Sequence, residues 1–314
     1  MKKLVSFILP IYNEQENISK LWEELQNLVS KMPKYEVEYI FINDGSKDNS
    51  LRELVNLHKA DPMRVSIVDF ARNFGHQIAV TAGQDRAKGD AVIIMDTDMQ
   101  DPPLTCIDLL QKWEEGYQVV YAQRQKYKTN WLKETCAFTF YRLLKSIASV
   151  DIPLDTGDFR LLDKRVNTEM CKFKEKNRYL RGISSLIGFK QTAVLFNRSE
   201  RYAGKTGYSF AKSLKLALDG LTAFSTVPLQ FITITGFALS SLSISGGLIY
   251  TIISLFAKDV ANGWASLFIA ISFLSGVQLM MLGIMAEYVG RIYTQVLERP
   301  LYTVAEELKR KTEN

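Results

Sequence analysis

The sequence predicts a mostly parallel α/β domain followed by a pair of membrane-spanning helices. Three observations carry that prediction. Short apolar runs alternate with amphipathic stretches over residues 5–95. A polar cluster follows each apolar run. Charge almost vanishes between Gly220 and Glu287, where only Lys258 and Asp259 interrupt.

The elements follow in order. Val5–Pro10 (VSFILP) is a short apolar run stopped by proline, which reads as a buried strand. Glu16–Met32 places Ile18, Leu21, Leu25 and Leu28 at helical spacing. Tyr39–Ile42 is a second strand, and Ser50–His58 is a helix carrying Leu51, Leu54, Val55 and Leu57. Val65–Asp69 is a third strand, Gln77–Ala87 a helix closed by Gly89, and Ala91–Met95 (AVIIM) a fourth strand. Repeated β-α units of this kind build a sheet covered on both faces. Such sheets bind ligands outside the carboxyl ends of their strands. The polar clusters fall there: Tyr12-Asn13-Glu14, Asn43-Asp44-Gly45-Ser46, Arg72-Asn73 and Asp96-Thr97-Asp98. One such cluster is an ordinary turn. Four at equivalent strand ends point to a ligand.

The C-terminal third reads as membrane. A bilayer core needs about 20 apolar residues per helix. Leu229–Phe256 and Ala265–Tyr288 each supply that length, joined by the loop Ala257–Trp264. Before the first span stand Arg201, Lys205, Lys212 and Lys215; after the second stand Arg291, Arg299, Lys309, Arg310 and Lys311. The positive-inside rule therefore predicts a multi-pass protein of the cell membrane with the α/β domain and both termini in the cytoplasm. Met1–Lys3 runs straight into the first strand, so the expectation is that no signal peptide precedes the fold. Tyr208–Phe224 carries Phe210, Leu214, Leu218 and Leu221 on one side, as an interfacial amphipathic helix does. The predicted organisation is a cytosolic α/β domain over 1–205, an interfacial helix over 206–228, two spans within 229–290 and a cytosolic tail over 291–314. Within that tail, Leu301–Lys311 reads as a short helix packing on the domain or on a neighbouring subunit of a homo-oligomer.

Composition bounds the rest. With 47% hydrophobic and 23% charged residues, the 314-residue chain can bury a normal core and is not a disordered or low-complexity sequence. Cys106, Cys136 and Cys171 are far apart with no C-x-x-C pair, which fits a reducing compartment. His58 and His76 are too few for a His-rich zinc site. A net charge of +5, gathered beside the apolar segments, speaks against nucleic acid as a partner. His76 reads as a structural or nucleotide-loop residue ahead of a catalytic base. Trp113, Tyr117, Phe138 and Tyr141 read as core, and Lys126, Lys128 and Lys133 as a solvated face.

Asp96-Thr97-Asp98-Met99-Gln100-Asp101 is the most informative stretch. Two carboxylates one residue apart at a strand end can converge on one point. A divalent cation relieves their repulsion, and Mg²⁺ or Mn²⁺ prefers such hard oxygen ligands and bridges to a diphosphate. Gln100 offers a further carbonyl oxygen. Pro102-Pro103 then starts a new helix. No P-loop and no G-x-G-x-x-G follows the first strand, so P-loop NTPases and dinucleotide enzymes are disfavoured.

The motifs Ile8-Leu9-Pro10-Ile11-Tyr12-Asn13-Glu14, Asn43-Asp44-Gly45-Ser46, Arg72-Asn73-Phe74-Gly75, Met95 to Pro103, and Asp155-Thr156-Gly157-Asp158-Phe159-Arg160 resemble glycosyltransferase family 2. The nearest branch is the polyprenyl-phosphate glycosyltransferases, and the resemblance covers nearly the whole chain. It implies a GT-A fold, a UDP-sugar donor, undecaprenyl phosphate as acceptor, and single displacement with inversion. It also implies roles. Pro10, Tyr12, Asn13 and Glu14 would cradle base and ribose, with Asp44, Gly45, Ser46, Arg72 and Asn73 also on the donor nucleotide. Asp96 and Asp98, with Gln100, would hold the metal and diphosphate. Asp158 is similar to the acidic residue beside sugar and acceptor. Arg124 falls where the family has a Gly-Ser-Arg arginine, here preceded by Ala122-Gln123, and Lys133 lies in the basic segment after it. Arg201-Tyr202-Ala203-Gly204 resembles an Arg-x-x-Gly phosphate-gripping segment. The lysine that follows it in many relatives is missing here, and Lys205 stands in its place.

The attacking phosphate monoester has a second pKa of about 6, so it needs little help from a base. Asp158 is therefore expected to position acceptor or sugar as much as to take a proton. Glucose and N-acetylglucosamine lead the candidate sugars. Two other readings compete. A processive polysaccharide synthase would carry a Gln-x-x-Arg-Trp motif and more spans, and both are absent from this sequence. A non-catalytic membrane scaffold would not need an intact Asp96, Asp98, Asp44 and Asp158.

Overall fold

The computed structural model describes residues 2–124, 156–176, 178–197, 227–256 and 264–311. They fall into two units: residues up to 197 together with the segment from Pro300 form one, and residues 227–299 the other.

In the first unit, β1 (Lys3–Ile11) is buried without a break from Val5 to Ile11. The run is continuous because the strand lies inside the sheet with helices over both faces. α1 (Gln15–Ser30) buries the expected stripe of Ile18, Leu21, Leu25 and Leu28. There follow β2 (Tyr35–Asn43), α2 (Ser50–Ala60), β3 (Val65–Phe70), α3 (His76–Gln84), β4 (Ala91–Ile94), α4 (Thr105–Glu114) and β5 (Val119–Arg124). After them come β6 (Thr156–Asp163), α5 (Lys164–Lys172), α6 (Leu180–Leu186) and β7 (Gln191–Phe196). β2 starts four residues earlier than the sequence suggests, and α3 stops at Gln84 rather than Ala87.

Among the described residues the sheet order is β7-β5-β6-β4-β1-β2-β3-β8, with β8 at Val304–Leu308. β4, β1, β2 and β3 are mutually parallel. α1, α2 and α4 cover one face through Leu21, Leu54 and Leu109. α3, α5 and α6 cover the other through Val80, Met170 and Ile183. From β1 the chain winds outward through β2 and β3, then crosses back to β4 on the far side of β1. That reversal opens a crevice at the carboxyl ends of β1 and β4, the usual ligand position in such sheets. β6 is antiparallel to β4, with Ile94 opposite Arg160. Its first residues therefore return to the carboxyl end of β4, which brings Asp158 to the same rim as Asp96.

The C-terminal segment is a strand, not the expected helix. β8 pairs antiparallel with β3, from Ile67 opposite Leu308 to Phe70 opposite Val304. Thr303 accepts a hydrogen bond from the Ala71 amide at 3.0 Å. Tyr302 stacks on Phe70 at 5.0 Å, and Arg310 pairs with the buried Glu38 at 3.1 Å. The open edge of β3 offers unpaired N–H and C=O groups, and this segment satisfies them. That gain overrides the helix preference of Glu306-Glu307-Leu308-Lys309.

The second unit contains α7 (Val227–Phe256) and α8 (Trp264–Val296). Leu229–Gly246 and Phe273–Val296 are long and apolar enough to cross a membrane, and neither is buried within the protein. Phe237 is 72% and Leu279 69% exposed. Exposed apolar surface of this extent suggests association with a membrane. α8 continues eight residues past the expected Tyr288, with Arg291 paired to Glu287 at 3.0 Å on its last turns.

Candidate active site

The rim of the crevice has two parts. The first is a framework of loops after β1, β2 and β3. Asn13, in the left-handed region at φ 55°, donates its amide to Ser46 Oγ at 3.0 Å and accepts from the Lys47 amide at 2.8 Å. The Glu14 amide donates to Ser50 Oγ at 3.0 Å, and the Glu14 carboxylate accepts from the Asn17 side chain. The Pro10 carbonyl accepts from Thr97 Oγ1 at 2.9 Å, tying β1 to the segment after β4. Tyr12 stands 43% exposed at the rim. Asp44, though buried, accepts from the Phe74 amide at 2.6 Å, the Gly75 amide at 2.9 Å and Asn73 Nδ2 at 3.0 Å. Burial pushes its carboxyl up against the pull of those amides. The carboxylate expected at the nucleotide thus also organises the 73–75 loop. Arg72 lies over the Phe74 ring at 4.1 Å.

Gly45 is required where it stands. It adopts φ +62°, and a Cβ there would collide with the Arg72 carbonyl carbon and the Asn73 amide nitrogen. Gly45→Ala is expected to destabilise the protein by at least about 1–2 kcal/mol from the left-handed backbone alone. A thermal unfolding curve that matches wild type would overturn that expectation.

The second part is a cluster of carboxylates. Asp96 follows β4, and Asp98 is 8% exposed in a turn where its Oδ1 accepts from the Gln100 amide at 3.1 Å and Met99 takes φ 62°. His76, the first residue of α3, reaches both Asp158 Oδ2 at 3.2 Å and Asp96 Oδ1 at 3.5 Å. Gln77 donates to Asp158 Oδ2 at 2.8 Å, and Arg181 on α6 donates Nε to Asp158 Oδ1 at 2.9 Å. The Leu180 amide donates in turn to Gln77 Oε1 at 3.1 Å. Three side chains therefore converge on one carboxylate. Burial would raise the Asp158 carboxyl, but the Arg181 guanidinium and His76 hold it well below the usual range. Asp96 goes the other way: burial raises it, and the neighbouring Asp158 and Asp98 carboxylates add to the rise against His76 and Arg181.

Burial alone would lower His76, yet the Asp158 hydrogen bond and the Asp96 carboxylate lift it from 6.5 to about 9. A histidine raised on folding contributes stability that is complete below its unfolded value and disappears as pH passes the folded one. In EDTA and without donor, the gap in unfolding temperature between wild type and His76→Gln is expected to be constant below pH 6.5 and to close through about 9. A gap that widens with pH would contradict the charged pair.

Of the remaining expected residues, Arg124 ends β5, while Lys133, Arg201 and Lys205 lie outside the described residues, as do Tyr208–Phe224, Phe138 and Tyr141. Trp113 is buried and donates to Asp163 at 2.9 Å. Gln77 and Arg181 were not legible in the sequence. No periodicity or strand-end position distinguishes them, and only the return of β6 beside β4 gives them a target. His76 is the intermediate case: its place beside Arg72-Asn73-Phe74-Gly75 signals the loop, but not the carboxylates that it bridges.

A mixed, mostly parallel sheet with paired acids at the rim of its switch point is the GT-A arrangement of glycosyltransferases. Residues 6–170 match the model of glycosyl transferase family 2, and the chain belongs to that family. Over 300 residues it is 45% identical to the uncharacterized glycosyltransferase YkcC of Bacillus subtilis, covering 95% of this chain and 92% of that protein. It is 38% identical over 301 residues to the SfII prophage-derived bactoprenol glucosyl transferase of Shigella flexneri, covering 96% and 97%. It is 36% identical over 301 residues to the prophage bactoprenol glucosyl transferase homolog of Escherichia coli, covering 96% and 98%. Among solved structures, the mannosyltransferase PcManGT of Pyrobaculum calidifontis, in complex with GDP-Man and Mn²⁺, aligns over 96% of this chain and 89% of that chain. Its TM-score is 0.47 at 14% identity. The chain is accordingly a hexosyl-transferring enzyme with two membrane-type helices.

Proposed function

We propose that this enzyme transfers one sugar, glucose or N-acetylglucosamine, from a UDP-sugar to undecaprenyl phosphate at the cytoplasmic face of the cell membrane, with inversion. The product would be a lipid-linked monosaccharide for surface-polysaccharide modification. The observation that carries the reading is the gathering of Asp96, Asp98 and Asp158 at the rim beside β4 and β6, with His76 reaching both Asp96 and Asp158. The name of the Shigella flexneri relative, a bactoprenol glucosyl transferase, supports the acceptor. The two exposed apolar helices support a site at a membrane, and the basic residues flanking them support cytoplasmic termini.

Among the described residues no three His, Cys, Asp or Glu side chains form a ready-made metal cage. A Mg²⁺ site does not need one, because it takes one or two carboxylates and completes its shell from substrate phosphates and water. Asp96, raised by burial and further by the neighbouring Asp158 and Asp98 carboxylates, fits such a cation. Asp96 and Asp98, with Gln100 near, would hold Mg²⁺ or Mn²⁺, which would neutralise the diphosphate leaving group. The loops bearing Tyr12, Asn13, Asp44 and Arg72 hold the nucleoside. An oxygen of the acceptor phosphate attacks the anomeric carbon from the face opposite the diphosphate. The bond from that carbon to the diphosphate oxygen breaks, and its electron pair leaves with UDP. The acceptor arrives ionised, so no proton must be removed. Asp158, already accepting from Gln77, His76 and Arg181, serves as a fixed negative anchor rather than as a base.

The test is a screen of UDP-sugars with undecaprenyl phosphate and Mg²⁺ or Mn²⁺ in membranes containing the enzyme. A single lipid-linked sugar is the expected product. Long polymer would point to a processive synthase, and no turnover with any donor would remove the reading.

A further inference from the structure

We propose that Arg181 binds the phosphate monoester of the acceptor, with its Nε anchored on Asp158 and its two terminal nitrogens turned to the phosphate oxygens. The inference rests on the lipid-phosphate acceptor proposed above and adds the residue that grips it.

The geometry sets Arg181 apart from the other arginines nearby. Arg160 is 3% exposed and spends its fork internally, donating to Ser184 Oγ at 2.7 Å and the Gly157 carbonyl at 3.1 Å. Arg178 donates to the carbonyls of Met170 and Phe173. Arg181 donates only Nε, to Asp158 Oδ1, and among the described residues its terminal nitrogens have no hydrogen-bond partner. Its side chain remains 29% exposed beside the carboxylate rim. A guanidinium held by one nitrogen, with the other two open, is preorganised for bidentate phosphate recognition.

The position along the sheet selects which phosphate. The nucleotide loops follow β1, β2 and β3, and the paired acids follow β4. Asp158 lies on β6, the neighbour of β4 on the side opposite β1, with Arg181 bonded to it, and it also accepts from His76 and Gln77 just after the 72–75 loop. A donor laid along the rim in that direction places its diphosphate at Asp96 and Asp98 and its sugar past them. The next phosphate in line is the acceptor's.

The test uses full-length protein in detergent and measures equilibrium binding of farnesyl phosphate and, separately, of UDP with Mn²⁺. Arg181→Gln keeps a hydrogen bond to Asp158 but not the charge, and Arg181→Lys keeps the charge but not the fork. Arg181→Gln is expected to weaken farnesyl phosphate at least about tenfold, the loss of a charge-assisted contact, while UDP affinity stays at the wild-type value. Arg181→Lys is expected to recover part of the loss. Intact UDP binding also reports that the variants are folded. Unchanged farnesyl phosphate binding overturns the proposal, and so does a parallel loss of UDP, which would place Arg181 on the donor diphosphate or on the fold. Wild-type protein that needs Arg181 to bind farnesyl phosphate, yet glycosylates no undecaprenyl phosphate, would overturn the transferase reading alone. Wild-type turnover with full acceptor affinity in both variants would overturn the Arg181 site alone.

Discussion

Asp158→Asn is expected to cut turnover by about 10²–10⁴-fold, the equivalent of the roughly 3–5 kcal/mol lost when one partner of a buried ion pair is removed. The carboxylate accepts from Gln77 Nε2 at 2.8 Å, Arg181 Nε at 2.9 Å and His76 Nε2 at 3.2 Å. An amide offers one oxygen where the carboxylate offers two, and no charge. Arg181 and His76 would then face each other as cations without their counter-ion, and both would move from the rim. The loss is expected in kcat more than in donor affinity, because the nucleotide loops keep their own bonds, from the Phe74 and Gly75 amides to Asp44 and from the Asn13 amide to Ser46. Steady-state kinetics with UDP-glucose and undecaprenyl phosphate would decide it. A variant within tenfold of wild type would leave the convergence on Asp158 without a role.

Asp98→Ala is expected to abolish turnover at every Mg²⁺ or Mn²⁺ concentration. Asp98 has two jobs that a second variant separates. Its Oδ1 holds the turn through the Gln100 amide, with Met99 in the left-handed region. The same group supplies one of the two charges proposed for the cation. Asp98→Asn keeps the turn contact and loses the charge. If the charge is what matters, both variants lose Mn²⁺ binding, read by electron paramagnetic resonance, together with turnover. If the turn is what matters, Asp98→Asn keeps both. Normal activity in Asp98→Ala would remove the metal assignment altogether.

Much of the site was legible before any fold was known. The strand-end clusters are local: each lies where an apolar run stops, and a stopped strand in a parallel sheet ends at a single rim. That reasoning places Tyr12, Asn13, Asp44, Gly45, Arg72, Asn73, Asp96 and Asp98 at the rim. Asp158 needed more, because β6 runs against β4 and its start, not its end, faces the rim. The motif resemblance supplied Asp158, but its partners were invisible. Gln77 and Arg181 sit about a hundred residues apart and become neighbours only through a shared carboxylate. Asp44 carries a second role that no local pattern names. Its type and place point outward to a nucleotide, yet its oxygens already serve the 73–75 loop.

Periodicity and charge by themselves determined the β-α rhythm, the rim on which ligands gather and the two apolar helices, because each depends on residues adjacent in the chain. Pairing across the chain was decided only in three dimensions. Val304–Leu308 became an edge strand because β3 had open hydrogen-bonding groups, although its own residues favour helix. The polar network around Asp158 formed because antiparallel β6 carried a buried charge to where His76, Gln77 and Arg181 could satisfy it. A buried carboxylate must find partners wherever the fold brings them, and no local pattern names those partners in advance.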